Sequence, residues 1–131
     1  SQAYRRRLTD AEVKSRVQEE HLRVLSDSLP ILLAYVDRDQ RYRFNSSGYE
    51  RWFGRSPQDL WGRSLSEALG DEQYERIREH VVRALAGEQV VFRTRAEILG
   101  LGTRWVEATY VPHVGPDGAV LGFSALVSDV T

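Results

Sequence analysis

Three segments near the C-terminal end constrain the fold most. They run from about Val90 to Leu99, Arg104 to Val111 and Ala119 to Ser128, and two turn-rich links, Gly100-Leu101-Gly102-Thr103 and Gly115-Pro116-Asp117-Gly118, separate them. The first alternates, with Val90, Phe92, Ala96 and Ile98 set against Arg93, Arg95 and Glu97, as in a strand with one dry and one wet face. Links this short join neighbouring strands only as hairpins, so an antiparallel meander is predicted. A sheet with an apolar face needs a second layer to cover it.

The chain upstream supplies that cover. A helix is predicted from Asp71 to about Ala86, ended by Gly87, with Tyr74, Ile77, Val81, Ala84 and Leu85 on its apolar face. From Asn45 to Leu69 short helical pieces are broken at Gly48, Gly54, Pro57, Gly62 and Gly70, none long enough to stand alone. Ile31 to Val36 is apolar at almost every position and reads as a strand buried on both faces. Asp37-Arg38-Asp39-Gln40 reads as a turn, and Arg41-Tyr42-Arg43-Phe44 as the paired strand, with its aromatics on one face. The expected class is α+β: a five-stranded antiparallel sheet with helices on one face.

An amphipathic helix is expected to precede this domain. Thr9-Asp10-Ala11-Glu12 has the pattern of a capping box, and the chain then runs without Gly or Pro to about Ser28, before Leu29-Pro30 stops it. Its apolar residues form two stripes, Leu8, Ala11, Leu22, Leu25 and Leu29 on one side and Val13, Val17 and Val24 nearly opposite. Two stripes call for two partners, the domain itself and the same helix of a second chain. The chain therefore divides into a signalling or dimerisation helix, 1–28, and a domain, 29–131, with Val13, Val17, Leu22, Val24 and Leu25 as candidates for a homodimer contact.

Composition narrows the chemistry. Eighteen basic and nineteen acidic residues leave a net charge of -1, so no global field draws nucleic acid or anionic lipid. The absence of cysteine excludes disulfides, thiolate metal sites and cysteine nucleophiles. No apolar run reaches the ~20 residues of a membrane span, and the N-terminus has no secretory signal pattern, so a cytoplasmic location and no direct membrane insertion are expected.

Several local motifs, taken in order, resemble the PAS family of sensor domains, above all the branch found in bacterial sensor kinases of two-component systems and in cyclic-dinucleotide enzymes. They are Leu29-Pro30, Val36-Asp37, Arg41-Tyr42-Arg43-Phe44-Asn45, Trp52-Phe53-Gly54-Arg55-Ser56-Pro57, Leu60-Trp61-Gly62-Arg63-Ser64, Ala84-Leu85-Ala86-Gly87-Glu88, Arg104-Trp105, Asp117-Gly118 and Asp129-Val130-Thr131. The resemblance implies a module that senses a small molecule or other stimulus and relays it, through a dimer, to a covalently linked effector domain beyond Thr131. It also implies that Asp129 and Thr131 fix the exit of the last strand. Asn45, where strand gives way to helix, is expected to cap the following turn, and Gly54 and Gly62 to sit at positive φ.

Within such a fold, Phe44, Trp52, Phe53, Tyr74, Ile77, Val81, Phe92, Tyr110 and Phe123, together with Tyr49, are the candidates to line a pocket for a small apolar or aromatic ligand. A filled core is the plainer alternative, and with it a ligand-free relay or dimerisation module. Haem would need a histidine aimed inward, and His80 falls at the edge of its helix's apolar face, where a partly exposed, hydrogen-bonded histidine is the ordinary expectation. His21 and His113 make no metal-ligand spacing with it, and no flavin motif is present, so no cofactor and no metal are expected. No catalytic residue stands out. A small cone-shaped isomerase, with Asp37 as base, is the enzymatic alternative, but Asp37 more naturally belongs to a turn.

Overall fold

The computed structural model describes residues 31–131. The predicted helix over 1–28, its capping box, His21 and the dimer candidates Val13, Val17, Leu22, Val24 and Leu25 lie outside the described residues, as does the Leu29-Pro30 stop.

The described elements run β1 (Ile31–Asp37), β2 (Tyr42–Asn45), α1 (Gly48–Phe53), α2 (Pro57–Leu60), α3 (Leu65–Leu69), α4 (Asp71–Leu85), β3 (Val90–Ile98), β4 (Gly102–Val114) and β5 (Val120–Asp129). The strands form one five-stranded sheet in the order β2-β1-β5-β4-β3, and every pairing is antiparallel. This is the expected α+β architecture. The meander β3-β4-β5 is as predicted, except that β4 extends further at both ends, so that Gly102 pairs with Ile98 and the first hairpin turn shortens to Leu99-Gly100-Leu101.

The core lies between the sheet and the helices. Leu32, Ala34 and Val36 of β1, Phe92 of β3, Val106, Ala108 and Tyr110 of β4, and Phe123 and Ala125 of β5 are buried on the inner face. Ile77, Val81 and Ala84 of α4 meet them, and Tyr74 and Leu85 pack at the margin. The helix thus presents the apolar face that its spacing predicts.

Two strand expectations need correction. β1 is not buried on both faces: it alternates buried Leu32, Ala34 and Val36 with half-buried Ile31, Leu33, Tyr35 and Asp37. In β2 the aromatics do not share a face. Val36 pairs with Tyr42 and Tyr35 with Phe44, so Arg43 is an extra residue in β2, a bulge that shifts the register by one and sends Phe44 to the outer side.

The short helices depend on local devices. Ser56 and Ser64 accept the amides of Asp59 and Glu67, capping α2 and α3. Gly54 and Gly62 take positive φ, as predicted. Gly48, by contrast, does not break a helix but opens one. A Cβ there would lie 2.8 Å from Leu32 Cδ2, so glycine is what lets α1 settle on β1. Asn45 does not cap the turn either; the Ser46 hydroxyl accepts the Leu33 amide at 3.0 Å and the Ser46 amide donates to the Leu33 carbonyl at 2.8 Å.

Candidate functional site

The inner face of the sheet and the helices line a partly open cavity of about 60 Å³. Sheet and helices contribute differently to its wall. The strands present Leu32, Val36, Tyr42, Phe92, Thr94, Ala96, Val106, Ala108, Tyr110, Phe123, Ala125 and Val127, while Tyr49, Trp52 and Phe53 come from α1, Leu65 and Leu69 from α3, and Gln73 and Ile77 from α4. Every side chain in this lining is uncharged.

Of the residues proposed from sequence, Trp52, Phe53, Ile77, Phe92, Tyr110 and Phe123 line this cavity together, along with Tyr49. Three do not. Phe44 is turned away by the bulge at Arg43. Val81 is fully buried one helical turn past Ile77, packed into the core beyond the cavity. Tyr74 spends its hydroxyl on Gln40 Oε1, at the margin of the core. That bond braces Gln40, which holds a left-handed φ of 61° and accepts the Leu65 amide through its carbonyl.

Among the polar members of the lining, sequence reasoning passes over Tyr42, Gln73 and Thr94. Strand parity finds the first and third, since Tyr42 opposes Val36, and Thr94 shares the face of Phe92 and Ala96. Gln73 has no such signal, being a polar residue one turn before Ile77 on an amphipathic helix.

The polar character of the cavity comes mainly from three phenols on three elements. Burial pushes Tyr42 up to about 12. It also raises Tyr49 and Tyr110, and Tyr49 is raised further by Tyr42 and Tyr110, so the three hydroxyls sit within electrostatic reach of one another. All three stay protonated at neutral pH. The buried Asn45 amide offsets part of the rise at Tyr49, and neither its Nδ2 nor its Oδ1 has a hydrogen-bond partner among the described residues.

His80 stands outside the cavity. Its ring stacks on Phe92, 3.8 Å between centroids and 5° from parallel, and its buried Nδ1 has no hydrogen-bond partner, so stacking holds it rather than the hydrogen bond expected there. His113 Nδ1 meets the Tyr35 hydroxyl at 2.7 Å on the outer side. Among the described residues no group of three or more His, Cys, Asp or Glu is placed to hold a metal ion. Asp37 belongs to its turn: Oδ1 accepts the Asp39 and Arg41 amides, and Oδ2 pairs with Arg43 Nε at 2.7 Å. Although its partial burial alone would raise it, Arg43 and the two amides hold its carboxyl below the usual range. A carboxylate so engaged, outside the cavity lining, is poorly placed to act as a base.

The end of β5 is pinned. Arg104 Nε meets Asp129 Oδ2 at 2.9 Å, and Asp129 Oδ1 accepts the Thr131 amide at 2.9 Å. The Thr131 hydroxyl accepts the Trp105 amide at 2.8 Å and donates to the Trp105 carbonyl at 3.3 Å. Asp129 lies on the strand face that carries Phe123, Ala125 and Val127, two residues beyond the cavity wall.

Comparison with known proteins places this geometry. The PAS domain of a protein from Colwellia psychrerythraea superposes with a TM-score of 0.67 at 19% identity, covering 85% of this chain and 96% of its own. The PAS domain of Bordetella pertussis BvgS does so at 0.65 and 24% identity, covering 87% of each chain. VqmA bound to DPO matches at 0.70 and 15% identity, over 82% of this chain and 56% of VqmA. Identities this low establish shared fold alone. A search of curated proteins found no match, and among the described residues no helix is long and apolar enough to cross a membrane. A family model described as the PAS fold matches residues 26–131, and the chain therefore belongs to the PAS fold family, whose members typically serve as signal-sensing modules.

Proposed function

We propose that this chain is a signal-input module, in which a stimulus received at the cavity alters the geometry delivered at Asp129 to a linked effector domain. The observation that carries this reading is the layout of β5. One face of one strand holds cavity wall at Phe123, Ala125 and Val127 and the exit pin at Asp129, so a displacement of the wall travels along a continuous ladder to the end of the domain. Such a relay requires the stimulus to bind two states with different affinity.

Two copies associate through the N-terminal helices over 1–28 and the outer faces of their sheets. Val91, Thr109, Leu126 and Leu33 align across β3, β4, β5 and β1 on that face, and Val91 and Leu126 are exposed, so an apolar row crosses the sheet with little cover. A structural neighbour, VqmA, is described as a dimer. The effector is an enzyme such as a histidine kinase or a cyclic-dinucleotide enzyme, and the module works in the cytoplasm of a bacterium.

No cofactor is assigned to the cavity. Sites for drug-sized ligands and cofactors occupy ~300–1,000 Å³, far above the 60 Å³ here. The same small volume favours a second reading, a ligand-free structural relay or dimerisation module.

The absorption spectrum and native mass of the purified protein test the assignment. A colourless protein, whose cavity takes up a small molecule on titration, supports it. A Soret or flavin band, or a bound group co-purifying, overturns the colourless pocket, and an inert cavity favours the relay. Deleting 1–28 and measuring molar mass tests the arm: loss of dimer is expected, and unchanged dimer content removes that part of the reading.

A further inference from the structure

The lining of the cavity also limits what can enter it, an inference that rests on reading the cavity as the input site. We propose that the ligand is an uncharged molecule no larger than a single six-membered ring, carrying one hydrogen-bonding pole that meets Tyr42, Tyr49 and Tyr110.

Charge is the first limit. None of the residues lining the cavity is charged. An ion placed there would lose its hydration and find no counter-charge, a cost that normally neutralises the group or expels it. The three phenols supply dipoles only, because burial keeps them protonated.

Size is the second limit. An apolar cavity of ~150 Å³ is what accepts benzene in a well-studied case, so the 60 Å³ available admits a ring only if part of the wall moves. Trp52, Phe53, Leu69, Gln73 and Ala96 form that part. They also line an open groove of about 800 Å³ between the helices and the β3–β4 hairpin, so the two spaces share a partition. Trp52, Phe53, Leu69 and Gln73 are half-buried, and three of them stand on α1 and α3, helices of 6 and 5 residues. The strands across the cavity are locked by continuous pairing. Displacing the partition makes room for a ring, while the paired strands opposite yield none; a second ring would have to pass the partition into the groove, among Arg55, Asp71, Glu72, Arg76 and Glu97.

Polarity is the third limit. Tyr42, Tyr49 and Tyr110 come from β2, α1 and β4, each at most 5% exposed. The Tyr42 and Tyr49 rings meet edge to face, 5.8 Å between centroids, and all three phenols line the same cavity, with Gln73 and Thr94 as further polar side chains in a mostly apolar wall. A ligand hydroxyl, carbonyl or amide oxygen placed among them finds both donors and acceptors.

The test uses the full chain and four probes built on one ring, phenol, toluene, benzoate and benzylamine, with 2-naphthol as the two-ring control, each followed by amide chemical-shift titration. Phenol is expected to bind about tenfold more tightly than toluene, the scale of one net hydrogen bond. Benzoate, protonated benzylamine and 2-naphthol are expected to leave the cavity residues unshifted. Tyr110→Phe and Tyr49→Phe are each expected to weaken phenol about tenfold and to leave toluene unchanged; two variants guard against one failing to fold. Benzoate or benzylamine binding as tightly as phenol overturns the charge limit, and 2-naphthol doing so overturns the size limit. Phenol binding unaltered in both variants overturns the polar pole. In all these cases the cavity remains an input site. If no probe binds, the input-site reading fails, and the ligand class falls with it.

Discussion

The two walls of the cavity are built on different principles. On one side, β3, β4 and β5 are strands of 9, 13 and 10 residues joined by hairpins, and their side chains alternate between core and outer face over most of β3 and β4, with a break in β5 where Gly122 and Phe123 are both buried. On the other, α1, α2 and α3 have 6, 4 and 5 residues and depend on what they touch: the buried side chains of Tyr49, Leu60 and Leu65, a serine cap each on α2 and α3, a glycine under α1, and Arg55 reaching the Ala68 carbonyl. Isolated helices of that length are not stable in water. The sheet wall therefore holds its shape, and the helical wall is the one free to respond. The proposed relay would receive at the helices and deliver along the strands.

The contrast breaks most readily where the sheet wall is densest. Phe123 is 1% exposed and lies 4.6 Å from Tyr110 between ring centroids, tilted by 38°, in the cavity wall. Phe123→Ala should cost ~3–5 kcal/mol in denaturant unfolding. A cost below ~1 kcal/mol would show that the strands do not form the stiff side.

Next comes Gly122, where any side chain would collide with backbone: a Cβ would lie 2.3 Å from the Val36 carbonyl oxygen and 2.7 Å from the Tyr35 hydroxyl. Gly122→Ala should cost ~2–3 kcal/mol by overpacking and separate β1 from β5. Amide exchange at Val36 and Phe123 would report the separation, and native-like protection would contradict it.

On the helical wall the effects should be smaller and local. Ser56→Ala and Ser64→Ala should each cost ~1 kcal/mol, with faster amide exchange confined to α2 or α3. An equal loss of protection throughout β4 would mean that the two walls unfold as one unit.

The smallest effect concerns the exit pin. The Thr131 amide, then Arg104, hold the Asp129 carboxyl below its usual value of 3.8. A lowered folded value means that the carboxylate stabilises the native state fully above the ordinary value and loses that contribution as pH falls through the lower, folded one. Arg104→Ala should move the Asp129 titration, followed by NMR, towards 3.8 and flatten the acid limb of stability. An unmoved titration would remove Arg104 from the pin.

The same contrast explains what could be read from the sequence. The meander was legible because one-sided burial forces alternation, and turn glycines mark its ends. α4 was legible from one apolar stripe. In β2, the bulge at Arg43 leaves no local signature, since Tyr42 and Phe44 alternate in sequence as an unbroken strand would. It was this single extra residue that misplaced Phe44. Gly48 reads as a breaker because its role lies in the distance to Leu32 of β1, sixteen residues earlier and invisible to local pattern. Candidate lining residues on regular strands could be assigned by parity, whereas Gln73 and Tyr74 differ only in which way one helical turn faces.

The central claim is that the cavity and the exit at Asp129 share one strand and move together. Amide hydrogen exchange across β5 in the full chain, with and without saturating phenol, tests it most directly. The account predicts slower exchange at Ala125 and Val127 that continues through Asp129 to Thr131. Protection that stops at Val127, leaving Asp129 and Thr131 unchanged, would contradict it.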